Sequence, residues 1–169
     1  MDRDTTNNFI AEAMSAYVRK NYDECITRFT EVLAIDPQHQ LSLMGRGSAF
    51  LQIHQTAKAE ADFDRVISLN PRYARAYHLR GLAREKHGDD DAAVEDFDQA
   101  ILLDPQYGAA YASRAALLDK RGQVDKAVED IKMIGRLTQM NVETFANANN
   151  IWQTHHMRVE DAMETELNR

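Results

Sequence analysis

Apolar residues recur along this chain at intervals of three and four positions, which places them on one face of an α-helix. Between residues 56 and 69, for example, Ala59, Phe63 and Val66 occupy positions i, i+4 and i+7. A similar stretch lies just before it, and the polar residues 54–56 separate the two. The pattern predicts two consecutive helices joined by a short turn.

This pair of stretches occurs four times at a constant interval. Asp-Pro or Asn-Pro dipeptides end the second stretch of three copies, and their prolines, Pro37, Pro71 and Pro105, are 34 residues apart. Proline cannot continue a helix, so each dipeptide predicts a helix end. A constant period over several columns indicates a repeat array. Three more columns keep the register: Phe29, Phe63, Phe97 and Ile131; Cys25, Ala59, Ala93 and Ala127; and the small residues Ala13, Gly47, Gly81 and Ala115.

Two columns of charged residues predict a contact between the helices of each copy. The residue before the small column is Arg in copies two to four, and the residue before the Phe or Ile column is Asp. In the first copy both signs are reversed, as expected if the two positions face each other. As partly exposed pairs they would each contribute about 0–1 kcal/mol. The predicted ion pairs are Glu12–Arg28, Arg46–Asp62, Arg80–Asp96 and Arg114–Asp130.

The chain resembles the tetratricopeptide repeat (TPR) family in its 34-residue period, its small-residue columns, its aromatic column and its closing Asp-Pro. Gly-Ser-Ala-Phe from Gly47 and Gly-Leu-Ala-Arg from Gly81 are variants of the first TPR helix. The resemblance implies an all-α fold, a right-handed α-solenoid of antiparallel helix pairs. The four units would cover residues 6–139, as 6–39, 40–73, 74–107 and 108–139.

The sequence that follows the repeats predicts a capping helix. Neither Gly nor Pro follows Gly135, and apolar residues continue at three- and four-residue spacing. We predict one amphipathic helix over 142–167 that covers the exposed face of the fourth unit, since the last unit of a solenoid needs a cap. Trp152 would bury its ring against that unit. The far end would extend beyond the solenoid, where another chain could pair with Val159, Met163 and Leu167.

Composition and charge narrow the range of functions. The 169 residues suffice for one domain or one short repeat array. The 20 Lys and Arg against 27 Asp and Glu give a net charge of −7, which argues against binding to nucleic acid or to an anionic membrane surface. The first residues do not resemble a signal peptide, and no apolar run is long enough to span a membrane. We expect a soluble, cytoplasmic protein.

The residue types that most often carry catalysis or bind metals form no recognisable motif. The six histidines lack metal-ligand spacing, and Asp89, Asp90 and Asp91 lack the glycine and glutamate of a calcium-binding loop. Cys25, the only cysteine, lies in a column of small residues and is expected to be an inert core thiol. No phosphate-binding loop or nucleophile elbow is present. We predict that the protein is not an enzyme and binds no cofactor or metal.

The candidate binding site is the face of the first helices that points away from the packing within each unit. In the TPR family this face lines the concave groove that receives ligands. The first helices of copies one and two are apolar on almost every side, which indicates that this face is buried as well. Soluble monomers seldom leave such an apolar surface exposed to water. Arg75 and Lys86 would form its polar end. The predicted groove residues are Ile10, Met14, Tyr17, Leu41, Met44, Ser48, Leu51, Arg75, His78, Leu82 and Lys86.

The TPR resemblance leaves several functions open. The first is a non-catalytic adaptor that binds an apolar or amphipathic protein segment in this groove. The second is a self-assembling scaffold subunit that stacks through its end repeats or terminal helix, and the third is a small TPR-type secretion chaperone. The other occupants considered for the groove are a second copy and the protein's own chain. Capture of a C-terminal carboxylate, as by chaperone-binding TPR proteins, is not expected. The positions of that clamp hold Ile10, Met14, Gly45, Arg75 and Leu79, of which only the arginine is suitable.

Overall fold

A computed structural model describes the chain from residue 3 to residue 148, and its side chains from residue 5 to residue 144. Within this range the fold is all-α, as predicted, and each helix packs against the next along the chain. The helices form four successive pairs. They are α1 (Arg3–Val18), α2 (Tyr22–Ile35), α3 (Gln40–Gln52), α4 (Thr56–Leu69), α5 (Ala74–His87), α6 (Asp90–Leu103), α7 (Gly108–Lys120) and α8 (Val124–Ala148).

Local hydrogen bonds explain why α2, α4 and α6 end where they do. The side chain of Asp36 accepts a hydrogen bond from the backbone N–H of Gln38 at 3.0 Å, across the intervening proline. Asn70 and Asp104 make the same bond at 3.2 and 3.0 Å. Such side-chain-to-backbone bonds stabilise turns. The Asp-Pro and Asn-Pro dipeptides therefore both stop a helix and hold the turn that leads to the next one.

Glycines in the first helices allow close packing against the phenylalanine column, as predicted. A Cβ atom added at Gly47 would lie 2.7 Å from Cε1 of Phe63, and one at Gly81 would lie 2.6 Å from Cε1 of Phe97. Both rings are fully buried. Helices α3 and α4, and likewise α5 and α6, therefore approach more closely than a side chain at the glycine would permit.

The four predicted ion pairs are confirmed. Arg28 Nε lies 2.8 Å from Glu12 Oε2. In the other units the guanidinium binds both carboxylate oxygens, with N–O distances of 2.8 and 2.7 Å for Arg46–Asp62 and 2.9 and 2.6 Å for Arg80–Asp96. Arg114 binds Asp130 in the same way.

These pairs are more buried in units two to four than their expected partial exposure. The aspartates Asp62, Asp96 and Asp130 are only 3–4% exposed, whereas a contribution of about 0–1 kcal/mol applies to exposed pairs. Removing one partner of a buried pair leaves an uncompensated charge, which costs about 3–5 kcal/mol. The aspartates are buried because each lies between two packed helices, a property that the charge pattern alone does not report.

The C-terminal part of the structure differs from the predicted division into a fourth unit and a cap. Helix α8 runs without a break from Val124 to Ala148, so no separate helix begins at residue 142. The reason is that Gln139 replaces the closing proline and no glycine follows Gly135. The rest of the predicted cap, with Trp152, Val159, Met163 and Leu167, lies outside the described residues.

Candidate interaction groove

An apolar cavity of about 640 Å³ opens at the end of the array formed by α1 and α3. Helix α1 contributes one wall and α3 the other, while the turn between α4 and α5 closes one side. We call this cavity the groove. It is lined by Met14, Tyr17, Val18, Phe29, Gln40, Leu41, Met44, Gly45, Ser48, Asn70, Tyr73 and Arg75.

The walls of the groove expose apolar side chains that the repeat itself does not use. Met14 is 53% exposed, Leu41 51% and Val18 81%, whereas Met44 is 7% exposed and lies at the edge of the core. Within α3, the polar residues of the lining are Gln40 and Ser48. An open surface of this composition favours binding to apolar side chains of another molecule.

Six of the eleven predicted groove residues line this cavity together. They are Met14, Tyr17, Leu41, Met44, Ser48 and Arg75.

The other five predicted residues lie elsewhere. Leu51 is 5% exposed and belongs to the core cluster around Phe63, and Leu82 packs against the same cluster. Ile10 is half-buried and Lys86 exposed, and neither borders the cavity. The prediction that Leu51 belongs to an open groove is wrong, because α5 packs against α3 and covers it.

Gly45 lines the cavity as well, although it is not among the predicted groove residues. A Cβ atom at this position would overlap the ring of Phe29. Without that atom, the ring lies directly against α3 and forms part of the cavity floor. The residues 34 and 68 positions later, Leu79 and Ser113, carry side chains at this place. The sequence signal for Gly45 is therefore a glycine at a position where the next two repeats have larger residues.

Asn70 and Tyr73 were missed for a different reason. They lie between α4 and α5, and a helical face pattern considers only residues within helices. Their position at the cavity follows from the turn that Asn70 holds through its bond to the N–H of Arg72. Only the folded chain brings this turn to the groove.

Arg75 is the cationic residue of the groove lining. Its side chain is exposed, and no carboxylate of the described residues forms an ion pair with it. By contrast, Arg46, Arg80 and Arg114 are all held by aspartates. Arg75 is therefore available for an acceptor group on a bound molecule.

His78, which was predicted to line the groove, is buried instead. It is 6% exposed, with Nδ1 3.0 Å from the hydroxyl oxygen of Tyr107 and Nε2 2.9 Å from the hydroxyl oxygen of Ser113. Burial, together with the charge of Arg75, lowers the pKa of His78 to about 4. The ring is therefore neutral at pH 7 and joins α5 to α7.

The described residues contain no group of three or more His, Cys, Asp or Glu side chains placed to hold a metal ion. Cys25 is fully buried, and burial raises the pKa of its thiol to about 11. A thiol with that pKa is almost entirely protonated at pH 7, and the thiolate is the nucleophilic form. None of the helices described is both long and apolar enough to cross a bilayer.

A family model described as tetratricopeptide repeat matches residues 10–74, 47–107 and 78–134, which together span 10–134. The chain belongs to the tetratricopeptide repeat family. The predicted right-handed solenoid of antiparallel helix pairs is thereby confirmed. No curated protein sequence matches the chain.

Solved structures of other TPR proteins share the fold. "MamA 41-end from Desulfovibrio magneticus RS-1" is 22% identical, with a TM-score of 0.74 over 80% of this chain and 76% of that one. "Arabidopsis OM64 TPR domain" is 24% identical, with a TM-score of 0.64 over 68% and 94%. "First TPR of Spaghetti (RPAP3) bound to HSP90 peptide SRMEEVD" is 24% identical, with a TM-score of 0.67 over 72% and 97%. At this identity the likeness shows the fold alone.

Proposed function

We propose that this TPR protein is a non-catalytic interaction module that binds an apolar or amphipathic segment of a partner protein in the groove. The observation that carries the proposal is the exposure of Met14, Val18 and Leu41 around a cavity of about 640 Å³. Burying these side chains against a partner would remove apolar surface from water, which is the main source of affinity in such contacts.

Arg75 is the one charged residue among those that line the groove, so the groove favours a segment that is mostly apolar. The RPAP3 structure holds the acidic peptide SRMEEVD, which supports peptide binding by this fold. In the present chain, positions of the carboxylate clamp hold Ile10, Met14 and Leu79, and Leu79 packs against the core. Arg75 could bind one acidic group. We infer that apolar side chains of the partner supply most of the affinity.

The test uses short random peptides displayed on phage and selected against the purified chain. Selected peptides are synthesised with a fluorophore, and their affinity is measured by fluorescence anisotropy. Leu41→Glu and Met14→Glu should each weaken binding at least about tenfold, because an apolar ligand would desolvate the new carboxylate. Both residues are about half exposed, so helical content measured by circular dichroism should not change.

Leu102→Glu is the matched control for Leu41→Glu. Leu102 is a helical leucine that is 73% exposed on α6, away from the groove. The Leu102→Glu variant should bind the selected peptides with the same affinity as the wild type. Equal loss in both variants, or no loss in Leu41→Glu, would contradict the proposal. Met44→Glu is unsuitable, because Met44 is 7% exposed and the variant would lose stability.

Self-assembly through the same surface is the alternative, and light scattering distinguishes it. If a second copy occupies the groove, the measured mass rises with concentration and Leu41→Glu prevents that rise. In that case the protein is a scaffold subunit rather than an adaptor for another protein. A mass that stays monomeric, together with peptide binding, supports the adaptor.

A further inference from the structure

Two methionines line the groove, and only one of them is open to solvent. Met14 on α1 is 53% exposed, whereas Met44 on α3 is 7% exposed and belongs to the core cluster around Phe63. Met14 is not part of any core cluster of the described residues. A chemical change at Met14 can therefore alter the groove while the helices stay packed.

The methionine thioether is a target of mild oxidants such as hydrogen peroxide. A lone pair of Sδ forms a bond to one peroxide oxygen while the O–O bond breaks. The other oxygen takes up the proton and leaves as water, so the sulfur loses two electrons and the peroxide gains them. The product is a sulfoxide, which is polar and which methionine sulfoxide reductases convert back with a thiol as reductant.

The cysteine of this chain does not compete for the oxidant. Cys25 is fully buried, and burial raises the pKa of its thiol to about 11. Oxidation of cysteine proceeds from the thiolate and requires access, and Cys25 provides neither at pH 7. A thioether has no proton to lose, so only exposure limits its reaction.

We propose that Met14 is a reversible modification site, at which oxidation by peroxide releases the partner segment from the groove. This inference rests on the function proposed above. In the empty groove the sulfoxide oxygen is hydrated. Its neighbours in the lining, Val18 and Leu41, have no hydrogen-bond donor in their side chains, so an apolar partner would remove that water without replacing its hydrogen bond. Such a loss weakens binding on the order of tenfold.

The repeat supplies the substitution that tests the site. The residues at the same place in the later units are Ser48, Leu82 and Ala116, so methionine occurs there only in the first unit. Met14→Leu copies the third unit and keeps an apolar side chain that peroxide does not oxidise. Met140 is the matched control, because it is 42% exposed and lies on α8, which does not line the groove.

The first experiment uses the wild-type chain and a peptide selected as described above. The protein is treated with hydrogen peroxide until its methionines are oxidised in part and is then passed over the immobilised peptide. Mass spectrometry measures the sulfoxide at each methionine in the bound and unbound fractions. Met14 sulfoxide should be enriched on the order of tenfold in the unbound fraction, whereas Met140 sulfoxide should be distributed equally. Equal distribution of Met14 sulfoxide, or no oxidation of Met14 in the folded chain, would overturn the proposal.

The second experiment measures peptide affinity before and after peroxide by fluorescence anisotropy. Each variant is compared with itself, so a change in its starting affinity does not affect the result. The wild type and Met140→Leu should lose affinity and regain it after treatment with the reductases and a thiol, while helical content stays constant. Met14→Leu should show no loss. If Met14→Leu loses as much affinity as the wild type, another methionine is responsible and the proposed site is wrong.

The two proposals fail in different ways. If no peptide binds the untreated wild type, the function proposed for the groove is wrong, and the proposed role of Met14 is wrong with it. If the untreated wild type binds and Leu41→Glu weakens that binding, the groove is the site. Unchanged affinity of the chain oxidised at Met14 would then overturn only the modification site.

Discussion

Three glycines of the first helices, Gly45, Gly47 and Gly81, each lie against a phenylalanine ring of a second helix. At Gly47 and Gly81 the missing side chain lets the two helices of one unit pack closely. At Gly45 the ring belongs to the preceding unit, and the missing side chain lets this ring lie at the floor of the groove. The same substitution would therefore affect stability at the first two positions and both stability and groove shape at the third.

Gly81→Leu should lower the free energy of unfolding by about 1–3 kcal/mol, the usual cost of overpacking. An added Cβ would lie 2.6 Å from Phe97 Cε1 and 3.2 Å from the backbone oxygen of Ala93, so the ring alone cannot relieve the overlap. Urea unfolding followed by circular dichroism measures the change. Gly108→Leu is the matched control, because nothing lies within 4 Å of its added Cβ. An equal change in both variants would refute the close approach.

His78 should make stability depend on pH. Its pKa is lowered from 6.5 to about 4 in the fold, so the unfolded chain binds a proton more readily. The stabilisation is complete above pH 6.5 and is lost as the pH falls toward 4. Between pH 7 and pH 5 the loss should be about 2 kcal/mol. The His78→Gln variant should lose this part of the pH dependence, whereas His87→Gln, which changes an exposed histidine, should keep it. Urea unfolding at several pH values measures the slope of the unfolding free energy against pH. If His78→Gln has the same slope as the wild type, His78 is not the group responsible.

At the scale of helices, each arginine of the ion-pair column holds three helices together. Arg80 binds Asp96 on α6 and, through Nη1, Asp64 on α4 at 2.7 Å. Arg46 and Arg114 reach back in the same way to Thr30 and Asp98. Within the described residues no unit precedes α1, so position 12 has no such second partner. An acidic residue at position 12 therefore needs only its one partner, Arg28, and the reversed charges of the first copy break no second contact.

Asp96→Ala should be far more destabilising than Glu12→Ala, although both residues belong to the same set of pairs. Asp96 is 3% exposed and binds both Arg80 and Arg84. Its removal takes the buried carboxylate from two guanidinium groups, which keep only the more exposed Asp64 and Glu60, at a cost of about 3 kcal/mol or more. Glu12 is half exposed, and its loss should cost less than about 1 kcal/mol. Chemical denaturation measures both. Similar values would show that burial does not decide the energy.

At the scale of the whole molecule, residues 3–148 form a row of units that contact only their neighbours, so stability should vary along this row. Helices α4 and α5 lie in the middle and have a packed unit on both sides, whereas among the described helices α1 has a neighbouring unit on one side only. Native-state hydrogen exchange should therefore be slowest in α4 and α5 and faster in α1, since end units open without breaking the centre. Uniform protection along the array would indicate a single cooperative unit instead.

The sequence determined much of the fold because its repeat is long and regular. The 34-residue period, the turns at Asp-Pro and Asn-Pro and the four ion pairs each rest on residue types that recur at fixed spacing, and helix formation depends mainly on such local patterns. The sign reversal of Glu12 and Arg28 was enough to predict which helices face each other. Charges reveal which positions are in contact because residues of opposite sign occupy the same two positions in all four copies.

Tertiary structure alone decided which apolar residues remain exposed. Leu41 and Leu51 lie in the same helix with the same chemistry, yet Leu41 is 51% exposed and Leu51 5%. Likewise Phe97 and Ile131 share a column, but within residues 3–148 only Phe97 has a following unit packed on it. Exposure depends on neighbours that are distant in sequence, and a helical pattern reports only the face on which a residue lies. The groove therefore exists only when α1, α3 and the turn before α5 are assembled, with the ring of Phe29 against Gly45 at its floor.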